Sequence, residues 1–146
     1  MFLKDGSGLG YLNGIPGFGT NWAAACDRLG AFVARQATAL SITGFSSSGY
    51  SAVLAALHLK PDLCSSFSGR TNLDPAATPL LDTLLNSAIL AQVAPELRRN
   101  LAPEIANSGL PLRLFAGQND PIDRAHAIAL ESFENVQLKI FPDTGH

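Results

Sequence analysis

Ser46 stands in the run Gly44-Phe45-Ser46-Ser47-Ser48-Gly49, at a point where the apolar period of the chain changes from two to that of a helix. A serine at a strand-to-helix turn can be held in a strained backbone conformation that projects its hydroxyl, provided the residues two before and two after it are small. Three serines compete for that place. Ser46 has Gly44 and Ser48 in those positions, whereas Ser47 would set Phe45 there and Ser48 would set Tyr50 there. The arrangement is G-x-S-x-S, with Ser48 where glycine is commoner, so the turn is somewhat crowded. A serine hydroxyl is a weak nucleophile near neutral pH; it needs an imidazole to take its proton and a carboxylate to fix the tautomer of that imidazole. His146, in Pro142-Asp143-Thr144-Gly145-His146, follows the last β-patterned run. Asp120 follows Leu112-Arg113-Leu114-Phe115-Ala116-Gly117, another such run. The chain order is serine, acid, histidine.

The elements that must position these groups alternate. Leu9 to Ile15 reads as a short strand running into the Pro16 to Asn21 loop, and Trp22, Cys26, Leu29, Phe32 and Val33 recur at helical spacing up to about Gln36. A strand over Ala39 to Phe45, a helix over Tyr50 to Leu59 and a strand over Leu63 to Ser68 follow. Strand, helix, strand, helix, strand requires crossover connections and a parallel sheet. Thr78-Pro79 opens a leucine-rich helix reaching Val93, and a second helix after Pro95 carries Leu97, Leu101 and Ile105. Beyond Gly109 the pattern is strand (Leu112 to Ala116), helix (Arg124 to Phe133) and strand (Val136 to Phe141). The fold class expected is α/β, a mostly parallel sheet with helices on both faces. Residues 1–146 form a single domain in this reading, with the helical segment 78–107 inserted between Ser46 and Asp120.

Composition narrows the function. Of 146 residues, 47% are hydrophobic and 15% charged, which suits elements buried on more than one face and excludes a disordered chain. Ten basic and 12 acidic residues are scattered along the sequence, so no basic stripe exists to meet nucleic acid. Cys26 and Cys64 are too few and too isolated for a disulfide framework or a zinc site, and read as buried thiols. No continuous apolar core marks a leader or a membrane span, so a soluble cytoplasmic protein without a membrane partner is expected. Phosphate-loop, dinucleotide and His-Glu metal motifs are absent, and no cofactor is expected. His58, late in its helix, reads as a residue that complements the helix dipole. The apolar stripe after Pro79 suits either a pocket wall or a homodimer contact.

Gly-Phe-Ser-Ser-Ser-Gly, Gly-Gln-Asn-Asp-Pro and Pro-Asp-Thr-Gly-His resemble the three signature segments of the α/β-hydrolase superfamily. The likeness extends over essentially the whole chain, as to a reduced or truncated version. With Asn13-Gly14-Ile15-Pro16-Gly17, Ser66-Phe67-Ser68 and Asp123-Arg124-Ala125-His126, it also resembles small bacterial hydrolase-like domains. The resemblance implies a serine hydrolase acting on a small-molecule ester or related acyl bond through an acyl-enzyme. Ser46 would be the nucleophile, His146 the base and Asp120 the acid. Oxyanion donors would be the Ser47 N–H, as in any such turn, and a second from near Ile15. The narrower resemblance would instead place the acid at Asp123, and would give His126 a role beyond structure. A non-catalytic binding or assembly domain and an acyltransferase with the same three residues are the alternatives.

Overall fold

The computed structural model describes Leu3, residues 10–76 and residues 90–146. Four helices and four strands are formed there: α1 (Trp22–Gln36), β1 (Ser41–Phe45), α2 (Ser47–Leu59), β2 (Leu63–Phe67), α3 (Ala102–Ser108), β3 (Leu112–Gly117), α4 (Pro121–Ile128) and β4 (Val136–Phe141). The strands lie in chain order and every pair is parallel. When each strand is added beside its predecessor by a crossover of the same hand, the connecting helices must fall on one face of the sheet. They do so here. Cys64, Leu112, Leu114 and Ala116 share one core with Tyr50, Val53 and Leu54 of α2, Ile105 of α3, Ala127 of α4 and Leu130. The opposite face carries Thr43, Phe45, Arg113, Gln137 and Lys139, all exposed. The anticipated parallel sheet is present, while helices on both faces are not seen among the described residues.

Helix α1 starts where Asn21 accepts the Ala24 N–H on its side chain, 2.9 Å. It packs on the flank of α2, where His58 Nε2 meets Asp27 Oδ1 at 3.1 Å. Helix α2 is buried from Gly49 to Ala56, enclosed by the sheet, α1 and α3. Burial pushes the Cys64 thiol up to about 12 and the Cys26 thiol up to about 11, the latter aided by Asp27. Both are inert, reduced core residues.

Two elements depart from the sequence expectation. The strand foreseen over Leu9 to Ile15 is a run of turns from Gly10, and Leu9 itself lies outside the described residues; positive φ at Gly10, Tyr11 and Gly14 breaks extended pairing there. The single helix after Pro95 is split into a 3-10 turn at Pro95–Leu97 and α3. Pro103 cannot donate to residue 99, and the intervening backbone is committed elsewhere: the Leu73 N–H donates to Arg99 O and the Leu101 N–H to Thr71 O. Leu97, Leu101 and Ile105 are nevertheless all buried, as their spacing required. Of the leucine-rich helix expected from Thr78 to Val93, residues 78–89 lie outside the described residues; Leu90 is helical and 91–93 form a turn. No helix among the described residues is long and apolar enough to cross a membrane.

The buried Tyr50 hydroxyl joins α2 to the segment between Pro95 and α3, donating to the Leu97 carbonyl at 2.7 Å. Tyr50→Phe leaves that carbonyl short of a donor and is expected to lower unfolding stability by about 1 kcal/mol with little change in m-value, read by urea denaturation.

Candidate active site

Everything at the site hangs from the C-terminal ends of the strands. Ser46 ends β1 and precedes α2 with φ 52° and ψ −124°, a conformation L-residues seldom adopt. Two backbone bonds hold it: the Ser46 N–H donates to the Phe67 carbonyl at 2.8 Å, and the Gly49 N–H donates to the Ser46 carbonyl at 2.9 Å. The close approaches on which the turn depends are met by glycine. A Cβ on Gly44 would stand 2.2 Å from the Ser48 carbonyl oxygen, and one on Gly49 would stand 2.5 Å from Gly69 Cα. The small-residue requirement therefore falls on Gly44, as expected, and on Gly49 instead of the half-buried Ser48.

His146 is brought over Ser46 by a loop tied to the neighbouring strand end. The Gln118 N–H donates to Phe141 O and the Asn119 N–H to Thr144 O, at 2.9 and 2.8 Å. Gly117 admits this loop: a Cβ there would lie 2.3 Å from the Gly145 carbonyl oxygen. His146 Nε2 then stands 2.7 Å from Ser46 Oγ, and His146 Nδ1 stands 2.7 Å from Asp123 Oδ2. An Nδ1–H donated to the carboxylate leaves Nε2 free to accept the serine proton, the tautomer that serine activation needs.

The carboxylate on His146 is Asp123, and the preference for Asp120 is corrected. Helix α4 begins at Pro121, three residues before the helix expected from Arg124, so Asp120 becomes its N-cap. Its Oδ1 accepts the N–H groups of Ile122 and Asp123 at 3.0 and 2.9 Å, which leaves Oδ2 at 3.9 Å from His146 Nδ1. Asp123, one turn in, faces the core and is buried.

The oxyanion expectations divide as well. Ser47 is the first helical residue of α2, where an N–H has no partner within the helix. Ile15 is corrected: its N–H donates to the Gly19 carbonyl at 2.9 Å within a tight loop and is not available to a ligand. The turn segment does reach the site, through Gly10, which lies against the Ser47 carbonyl. Asp120, Asp123 and His146 also offer donor atoms within 4.8 Å of one another, but a cation seated there would have to break the His146–Asp123 hydrogen bond.

No family model matches the sequence, and no curated protein matches it either. Solved structures do match. An α/β-hydrolase enzyme from the metagenome of lagoon sediments at Mar Chica, Morocco, is similar with TM-score 0.60 at 18% identity, over 87% of this chain and 62% of that one. The capsule O-acetyltransferase of Neisseria meningitidis serogroup A is similar with TM-score 0.57 at 11% identity, over 83% of this chain and 56% of that one. A lipase-esterase related protein from Clostridium acetobutylicum gives TM-score 0.55 at 16% identity, over 85% and 67%. The chain has an α/β-hydrolase-like fold in reduced form. It spans 62% and 56% of the length of the first two of these structures.

Asp120→Ala removes two accepted N–H bonds from the start of α4 and is expected to cost about 1 kcal/mol of stability, whereas Asp120→Ser, which can still cap, is expected to cost much less. Parallel chemical denaturation of the two variants checks this.

Proposed function

We propose that this protein is a serine hydrolase that cleaves small-molecule esters or related acyl bonds, with Ser46, His146 and Asp123 as its catalytic residues. The reading rests on one observation, the continuous line from Asp123 Oδ2 through both ring nitrogens of His146 to Ser46 Oγ at 2.7 Å per step. Ser46 Oγ attacks the acyl carbonyl as its proton passes to His146 Nε2. The tetrahedral oxyanion is met by the Ser47 N–H, assisted by the N-terminal end of the α2 dipole. Collapse expels the alcohol, which takes the proton from Nε2 and leaves an acyl-Ser46 ester. Water, deprotonated by the same nitrogen, then attacks the acyl carbon; Ser46 is released with the carboxylic acid as second product. Asp123 accepts the His146 Nδ1–H throughout and stabilises the imidazolium.

Among the structures of this fold, the meningococcal protein is an O-acetyltransferase. An alcohol acceptor in place of water would give the same intermediate a different fate. Product analysis with and without added alcohol separates hydrolysis from transfer.

A fluorophosphonate is expected to modify Ser46 alone, seen by intact and peptide mass spectrometry, and Ser46→Ala is expected to abolish both labelling and turnover of an activated ester. Asp123→Asn is expected to lower kcat by about 10²- to 10⁴-fold, while Asp120→Asn stays within about tenfold of the parent. A folded parent that neither labels nor turns over any activated ester would refute the proposal.

A further inference from the structure

Parallel sheets are ordinarily buried on both faces, yet among the described residues the connecting helices of this one cover a single face. The other face is not uniform. Toward the C-terminal ends of its strands runs a ridge of stacked rings, Phe45, Phe67, Phe115 and Phe141, with Lys139 Nζ 4.8 Å from the centre of the Phe141 ring. Phe45, at one end of the ridge, is 63% exposed. Toward the N-terminal ends lies an open hollow of about 430 Å³, walled by Asp62, Leu63, Pro111, Arg113, Glu134 and Gln137. Leu63, Arg113 and Gln137 alternate in phase with Phe67, Phe115 and Lys139, so hollow and ridge share the face.

A ridge at one end and a hollow at the other make the face complementary to itself. When a second copy is turned half a revolution about an axis that crosses the strands, each strand runs antiparallel to its own counterpart, with ridge over hollow in both copies. The register fixes which residues meet. Val136, Leu112 and Cys64 lie side by side, as do Gln137, Arg113 and Ser65. An axis midway between Glu134 and Lys139 therefore crosses β2 between Cys64 and Ser65, and Phe67 falls opposite Asp62 of the second copy. Lys139 falls opposite Glu134 of the second copy, and Glu134 opposite its Lys139. Both side chains are exposed, and neither has an ion-pair partner among the described residues. Arg113 comes near the axis, where Gln137 Oε1 holds its Nε at 3.2 Å and Asp62 lines the same hollow, so each copy brings a carboxylate to that cation. Four strands about 4.8 Å apart and six residues of about 3.3 Å give a face roughly 19 by 20 Å. Covering it on both copies buries on the order of 1,000 Å², the small end for a specific contact, so association depends on concentration.

We infer that this face is the interface of a two-fold homodimer, in which the phenylalanine ridge of each copy fills the hollow of the other and Lys139 pairs with Glu134 across it twice. Nothing in this contact depends on the chemistry of Ser46. Sedimentation equilibrium of the whole chain is expected to show a mass that rises with concentration from 15.3 kDa toward twice that value. Lys139→Glu and Glu134→Lys each set like charges opposite one another at two places, and each is expected to raise the dissociation constant at least about tenfold. Mixed in equal amounts, the two variants regain both pairs, and the mixture is expected to dimerise with a constant within about threefold of the parent's. Phe45→Ser, which thins the ridge without altering charge, is expected to weaken association too. All three substitutions fall on exposed side chains and leave the fold intact, which far-UV circular dichroism checks. A parent that stays at 15.3 kDa at every concentration overturns the inference and leaves the face to a different partner. A dimer indifferent to Lys139→Glu and Phe45→Ser overturns it as well, and so does a mixture of the two charge variants that fails to associate.

Discussion

The backbone of Ser46 is the constraint on which the rest of the molecule depends. A non-glycine residue at φ 52° and ψ −124° is strained by something on the order of 1–3 kcal/mol, and it persists only where its surroundings leave no alternative. Those surroundings are the contacts of the first turn of α2 with β1 and with the segment leaving β2. Gly44 lets the helix descend onto its own preceding strand, and the facing pair Gly49 and Gly69 lets it lie against the next. The helix then buries Tyr50, Val53 and Leu54 in the core, so hydrophobic burial along α2 offsets the strain at its entry. Strain and core are one device.

The second half of the site is built by a different means. Nothing in the loop bearing His146 is deeply buried, and the histidine side chain is half exposed. Its placement comes instead from main-chain bonds to the residues after β3, from the absence of a side chain at Gly117, and from the two ends of its imidazole. One partner of that imidazole rides on β1 and the other on α4. Two of the groups are thus carried by separate crossovers and the third by the segment after β4, and only correct strand order brings them to one edge of the sheet.

Much of this was legible in the sequence, and the physical reasons for the exceptions are specific. Gly44 and Ser46 were identifiable because a local steric rule acts between residues two apart. His146 was identifiable because it follows a strand-period run that must end on the same edge as the serine. The choice between Asp120 and Asp123 was not decidable by strand ends, since it turned on where α4 begins. A Pro121 at the first helical position, with aspartate before it, was the available signal: aspartate there caps, and its carboxylate is drawn to the helix N–H groups. The hydrogen bond that occupies the Ile15 N–H is local too, but it closes onto Gly19 through turn geometry that periodicity does not register.

The sheet face that carries no helix among the described residues bears on the site as well. Phe45, Phe67 and Phe115 are register partners on three adjacent strands, and their rings stack at 4.8 and 4.2 Å between centroids, with Phe141 beyond at 6.2 Å. Stacked aromatic pairs contribute about 0.5–1.5 kcal/mol each beyond the area they bury, although Phe45 remains largely exposed. A slip of one residue in a parallel pair would turn every side chain of the strand to the other face, placing Phe45 in the space that Gly44 must leave open for α2. The aromatic row on the open face and the glycine on the covered face therefore specify the same register from opposite sides. Because Ser46 follows Phe45 directly, that register is also what sets the height at which its hydroxyl leaves the sheet and meets His146.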